Sequence, residues 1–268
     1  MKVKNKVVVV TGGGSGIGRQ LVLTLLARGA RVAAVDLREE GLNETQAEAG
    51  AGDSLSLHVA NVTDRERVAA LPAEVIDRHG AVDALINNAG VIQPFVRLNE
   101  LDFNVIDRMI DVNLHGPINL IKAFLPHLLE RQEAHVANVS SMGGFLPVPG
   151  QTMYGAAKAG VKLMSEGLYA ELLETNVHVS VIMPGGVATD ITKNSGVDIP
   201  GAAEANEQAA SRALPASEAA RIIVDGIEAN KLHILVGSDA RMMYLASRVA
   251  PKRATHFISK QMKALLDR

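Results

Sequence analysis

Short β-branched runs alternate with longer segments of helical periodicity along most of the 268-residue chain. Val7–Val10, Val32–Val35, Leu55–Val59, Val82–Ile86, Val136–Val139, Val177–Met183 and Ile234–Val236 are short and apolar, the pattern of strands covered on both faces. Between them, Ile17–Arg28, Arg65–Arg78, Val105–Leu129, Lys158–Leu173 and Glu218–Glu228 carry apolar residues at helical spacing. Alternation of this kind builds βαβ units, and no Pro/Ser-rich linker or internal repeat divides it. The chain is therefore predicted to form an α/β fold in one domain over residues 1–240, a doubly wound parallel sheet of about seven strands with helices on both faces.

Composition removes several functions. There is no cysteine, hence no disulfide scaffold, thiolate metal site or cysteine nucleophile, and a reducing compartment is consistent with that. The eight histidines are scattered, none at ligand spacing, and no metal is expected. His115 reads as structural or as a neighbour of a site residue. A net charge of −2 and 3% aromatics argue against nucleic acid as a partner. The basic start Lys2–Lys6 is followed by only four valines before glycine, too short for a signal peptide. The longest charge-free stretch, 136–157, contains Pro147, Pro149 and four glycines and cannot cross a membrane as a helix. A cytoplasmic protein is expected.

The first strand runs into Thr11-Gly12-Gly13-Gly14-Ser15-Gly16-Ile17-Gly18, and a helix follows. Strand, glycine turn and helix N-terminus form an anion site, because backbone N–H groups and the helix dipole face a phosphate that absent Cβ atoms let approach. The spacing fits neither G-x-G-x-x-G nor the Walker loop; it reads T-G-x-x-x-G-x-G. Asp36 ends the second strand, 18 residues after Gly18, where an acid hydrogen-bonds a ribose 2′-hydroxyl and repels a 2′-phosphate. NAD is thus predicted over NADP, with Arg38 softening the preference.

With further motifs in order, the sequence resembles the short-chain dehydrogenase/reductase family over residues 5–240. Asn87-Asn88-Ala89-Gly90 follows the fourth strand, Asn113 lies in the next helix, Ser140-Ser141 closes the fifth strand, and Tyr154-Gly155-Ala156-Ala157-Lys158 matches Y-x-x-x-K. Pro184-Gly185 follows the sixth strand, with Val187 and Thr189 after it. The resemblance implies a Rossmann fold and a cofactor held by Gly12, Ser15, Gly16, Ile17, Gly18, Asp36, Asn61, Val62, Asn88, Ala89, Gly90, Tyr154, Lys158, Pro184, Gly185, Val187 and Thr189. It also implies catalysis by Asn113, Ser141, Tyr154 and Lys158. Ser141 is preferred to Ser140 because it stands 13 residues before Tyr154, the family interval. One departure is Asn61-Val62 where the family usually has aspartate–valine; an asparagine can still accept and donate at adenine.

Tyr154 and Lys158, four apart, share one helix face about 6 Å apart along the axis. A tyrosine acting as a base near neutrality needs its pKa lowered by about 3 units, roughly 4 kcal/mol, and the lysine ammonium and a positive nicotinamide ring are expected to supply that. By resemblance, Lys158 also holds the nicotinamide ribose, Ser141 orients the substrate oxygen and Asn113 holds a relay water. The predicted reaction is hydride transfer between NAD(H) and a secondary alcohol or ketone. The alternatives are an NADPH-dependent 3-oxoacyl-thioester (acyl carrier protein) reductase and, in another class, a cofactor-sensing regulator. Phe145, Val148, Met153 and Met183 read as packing residues; any that line the pocket favour an apolar substrate. A homo-oligomer, dimer or tetramer, follows from the resemblance alone.

Two regions escape the motifs. Residues 191–214 are rich in Ala, Gly, Asn and Ser and read as a substrate loop or lid. Residues 240–268 form a tail with seven Lys/Arg against one acid, a charge of +6 that leaves −8 on the rest. Met242, Leu245, Ala246 and Val249 keep helical spacing there, as do Ile258, Met262 and Leu265. The tail is expected to pack on protein and shape access to the site, with peripheral membrane contact and a solvated end as the other readings.

Overall fold

Valines alternate in the first strand between two apolar layers, and that alternation sets the architecture. In the computed structural model, which describes residues 1–197 and 213–266, β1 (Val7–Thr11) is fully buried. Val8 and Val10 join Leu21 and Leu25 of α1 (Gly16–Ala27) and Ile223 and Ile227 of α8 (Ala216–Glu228). Val7 and Val9 join Leu71 and Val75 of α3 (Arg65–His79), Phe124 and Leu128 of α5 (Gly116–Leu129) and Leu168 of α6 (Thr152–Glu171). Both faces of the strand are apolar because both are covered.

The remaining strands are β2 (Arg31–Asp36), β3 (Leu55–Val59), β4 (Ala84–Asn87), β5 (Ala134–Val139), β6 (Val177–Pro184) and, after a two-residue pair of β7 (Val187–Ala188) and β8 (Leu214–Pro215), β9 (His233–Val236). The main sheet is parallel throughout in the order β3-β2-β1-β4-β5-β6-β9. Seven strands in one doubly wound domain are what the sequence predicts. The order in which strands are added reverses at β1: β2 and β3 lie to one side of it and β4 onward to the other, all parallel. Ligands of open α/β sheets bind at such a switch, beyond the carboxyl ends of the strands.

Several elements differ from expectation for local reasons. α2 (Glu39–Ala49) has no apolar stripe: only Leu42 and Thr45 are buried. The helix predicted over Val105–Leu129 is three pieces, α4 (Phe103–Ile110), one turn of π-helix (Asp111–His115) and α5. Pro117 lacks the N–H that an α-helix would direct at the Asn113 carbonyl, and the Gly116 N–H instead reaches back five residues to the Asp111 carbonyl. β4 starts two residues late because the buried Asp83 carboxylate takes the Val7 N–H at 2.9 Å. α6 starts at Thr152 rather than Lys158, so Tyr154 sits in its first turn.

The tail is two helices, α9 (Ser238–Val249) and α10 (Pro251–Leu266), broken where Pro251 begins the second. Met243 and Ala254 pack with Leu146, joined by Met142, Phe145, Ala246 and Ile258. Tyr244 meets Phe145 edge-to-face at 5.1 Å. The tail thus packs on the segment that follows Ser141. Most of the 191–214 loop, the Leu265 side chain and residues 267–268 lie outside the described residues; of the loop, α7 (Ile191–Ser195) is described.

Candidate active site

The ends of β1 and β4 are tied by one threonine. The Thr11 hydroxyl oxygen accepts from the Asn88 and Ala89 N–H groups, each at 3.0 Å, and the Asn88 amide donates to the Thr11 carbonyl at 2.9 Å. This closes the floor of a cavity of about 670 Å³. Gly18 does not line it: a Cβ there would lie 1.9 Å from the Gly12 carbonyl oxygen. Its lack of a side chain lets α1 start against the glycine turn, a packing role where a cofactor contact was expected. Gly90 is a second close approach, since a Cβ would come within 2.8 Å of Asn113 Oδ1 and 3.2 Å of Lys158 Nζ.

Of the expected cofactor residues, all except Gly18 line the cavity, as do Ser141, Tyr154 and Lys158. Asn113 stands behind the wall, fully buried, its amide clamped on the Val91 backbone through N–H···Oδ1 at 3.1 Å and Nδ2–H···O at 3.0 Å. The Asp36 carboxylate accepts from the Gly14 N–H at 2.9 Å and the Arg38 N–H at 3.0 Å, so the acid is built into the glycine turn. Asn61 Oδ1 accepts from the Thr63 N–H and hydroxyl at 3.1 and 2.9 Å, which commits its oxygen and leaves the NH2 as its free function.

At the other end, Lys158 Nζ donates to the Val139 carbonyl at 2.9 Å and lies 6.0 Å from the centre of the Tyr154 ring. Burial lowers its pKa to about 8. The same burial pushes the Tyr154 phenol above its ordinary value, opposed by a hydrogen bond with Ser141. The expected lowering of the tyrosine therefore does not come from the chain alone: at this distance the ammonium does not outweigh desolvation. Ser141 Oγ also accepts from the Gly143 N–H at 3.0 Å, while Ser140 turns away to the Lys158 carbonyl at 2.6 Å. That orientation favours Ser141 over Ser140.

Other lining residues were not singled out in the sequence, although Ile191 and Asn194 fall in the expected 191–214 loop. Asp107 and Arg108 of α4, Asp111 of the π turn, and Asp190, Ile191 and Asn194 at α7 all border the cavity. Asn194 spans it, donating to Ser15 Oγ at 3.0 Å and accepting from the Arg38 guanidinium at 2.9 Å. The partners are 179 and 156 residues apart, so no local pattern could signal the contact. His115 pairs with Asp111 at 2.9 Å on the exposed side. Phe145, Val148, Met153 and Met183 do not border the cavity. Among the described residues, no group of three or more His, Cys, Asp or Glu is placed to hold a metal, and no helix is long and apolar enough to cross a membrane.

The family model described as short chain dehydrogenase matches residues 6–199. The chain belongs to the short-chain dehydrogenase family. It is 35% identical over 253 residues to a Mycobacterium tuberculosis protein named as the oxidoreductase SadH, covering 92% of this chain and 91% of that one. It is 36% identical over 196 residues to the 3-oxoacyl-[acyl-carrier-protein] reductase FabG of Thermotoga maritima, covering 72% and 78%. Among solved structures, a family member from Burkholderia phymatum in complex with NAD superimposes with a TM-score of 0.82, at 25% identity over 93% and 96% of the two chains. One from Burkholderia cenocepacia in complex with NADP gives 0.80, at 25% identity over 96% and 99%. The protein is thus an oxidoreductase of this family with a site for a nicotinamide dinucleotide.

Proposed function

We propose that this family member transfers a hydride between NAD(H) and a secondary alcohol or ketone with an apolar body. The observation that carries the reading is the convergence of Tyr154, Ser141 and Lys158 on one end of a cavity whose other end is the glycine turn and Asp36. The residues fit the cofactor: Gly12 and Gly16 leave the turn open to a pyrophosphate, and Asp36 offers its acceptor where a ribose hydroxyl would sit. When bound, the nicotinamide supplies the hydride chemistry. Tyr154 gives a proton to, or takes one from, the substrate oxygen, and Ser141 orients that oxygen by hydrogen bonding. Lys158 stabilises the phenolate and binds the nicotinamide ribose. Asn113 acts from behind, its backbone carbonyl deprived of an α-helical donor by Pro117 and so open to a relay water. Val91, Val139, Val187 and Ile191 in the lining support an apolar substrate.

Turnover of a panel of alcohols and ketones, followed by NADH absorbance, tests this reading, together with competing titrations of NADH and NADPH. Tighter NADH binding is expected; tighter NADPH binding overturns the cofactor assignment. An NADPH-dependent 3-oxoacyl-thioester reductase is the second reading, favoured by Arg38 in the cavity lining and opposed by the Asp36 charge. A regulator without turnover is the third, and absence of activity on every carbonyl tried would revive it. We further propose a cytoplasmic homo-oligomer, with residues 1–240 as the catalytic domain, 191–214 as the substrate loop and 240–268 as an appended tail.

A further inference from the structure

The tail helices carry two faces, and only one is accounted for. The inner face, with Met243, Ala246, Ala254 and Ile258, is packed on Leu146 and its neighbours, and Ala240 is buried. The outer face exposes Met242 (61%), Leu245 (65%), Val249 (76%) and Phe257 (52%). Met242, Leu245 and Val249 are three and four residues apart, so they fall within a stripe about 60° wide on α9. Around them stand the exposed cations Arg241, Arg248, Lys252, Arg253 and Lys260, and no acid occurs between positions 240 and 266. Lys252, Arg253 and His256 line a shallow recess at the start of α10, suited in charge to a phosphate.

We propose that this face docks the protein on an anionic lipid bilayer, with Met242, Leu245, Val249 and Phe257 entering the headgroup boundary and the cations meeting lipid phosphates. Large apolar side chains flanked by cations, without acids, are the composition of helices that lie in a membrane interface. A self-complementary contact between two copies would bring two cationic faces together, whereas an anionic surface neutralises them. The inner face holds the helices in place beforehand, so docking requires no coil-to-helix transition. The membrane would then lie beside the segment that follows Ser141, because that segment supports the tail. None of this depends on which cofactor or substrate is used.

The test is cosedimentation of the full chain with phosphatidylcholine vesicles and with vesicles in which one third of the lipid is phosphatidylserine. Binding to the anionic vesicles about tenfold or more above the neutral ones is expected, with loss at high salt. L245E/V249E should abolish binding with unchanged circular dichroism and gel-filtration mass, and R248Q/K252Q/R253Q should weaken it about tenfold or more. No pelleting, or equal binding to both vesicle types, overturns the proposal. So does undiminished binding by either variant. A drop in oligomeric mass with L245E/V249E would show a contact between copies instead, and the proposal fails.

Discussion

The two ends of the same sheet treat polar side chains in opposite ways. At the carboxyl ends of the strands, Asp36, Ser141, Tyr154 and Lys158 are held by one or two protein contacts each and face a cavity. At the amino ends, polar groups are consumed by the protein. Asp83, before β4, accepts from the Val7 N–H at 2.9 Å and from Arg131 Nε at 2.9 Å, with Lys6 Nζ at 3.5 Å. His135, at the start of β5, sits at 2.8 Å from Ser180 Oγ, whose proton goes to the Lys231 carbonyl at 2.6 Å. The imidazole must therefore donate from Nε2, which leaves its buried Nδ1 without a partner. Cavity-facing groups keep capacity for a ligand; internally consumed groups fix strand ends. Substitutions at the first end should change turnover and leave stability alone, and those at the second should do the reverse.

Tyr154→Phe is the largest expected separation. It removes the proton donor or acceptor and should lower kcat by about 10²–10⁴-fold, roughly 3–5 kcal/mol on the barrier. NADH affinity and melting temperature should stay near wild type, measured by fluorescence titration and calorimetry. A kcat within a factor of a few of wild type would remove Tyr154 from the chemistry. Asp83→Ala comes next, at the opposite end. It leaves the buried Val7 N–H without an acceptor and two cations without a partner, so a loss of about 2–4 kcal/mol in urea unfolding is expected, with turnover per folded molecule unchanged.

The two ends were also unequally legible in the sequence. The glycines, Asn88, Ser141, Tyr154 and Lys158 answer to backbone constraints or to spacing along one helix, so their pattern survives in one dimension. Asp83, His79 and His135 are single letters whose partners come from other elements: Val7 lies 76 residues from Asp83 and Ser180 lies 45 from His135. The same limit hid the Asn194 bridge across the cavity. All seven main-sheet strands were legible because burial on both faces leaves them uniformly apolar. α2 was not, because it buries only Leu42 and Thr45. The tail's periodicity revealed helices, but not that its stripe divides into a packed and an exposed face.

Acid titration probes the amino end further. Burial lowers the pKa of His135 to about 3 and that of His79 to about 4. Both are neutral in the folded protein, whereas the unfolded chain takes up protons below about 6.5. Stability should therefore fall as pH drops through 6.5, by about 1.4 kcal/mol per pH unit for each histidine until its folded pKa is reached. His135→Gln and His79→Gln should each flatten that slope by one proton, read from urea midpoints across pH 4–7, whatever either does to stability at pH 8. An unchanged slope would mean that these rings protonate without unfolding.

Asp36→Ala is the smallest and sharpest test, because Asp36 combines the two behaviours. Its oxygens hold the Gly14 and Arg38 N–H groups, as a structural carboxylate would, yet it borders the cavity. If its work is recognition, removing the charge should raise the ratio of NADPH to NADH affinity by about tenfold, roughly 1.4 kcal/mol, since a 2′-phosphate no longer meets an anion and Arg38 stands nearby. If it only braces the turn, both affinities should fall together and the ratio should stay fixed. Competing fluorescence titrations read the ratio directly, so a general weakening of the loop cancels from the comparison.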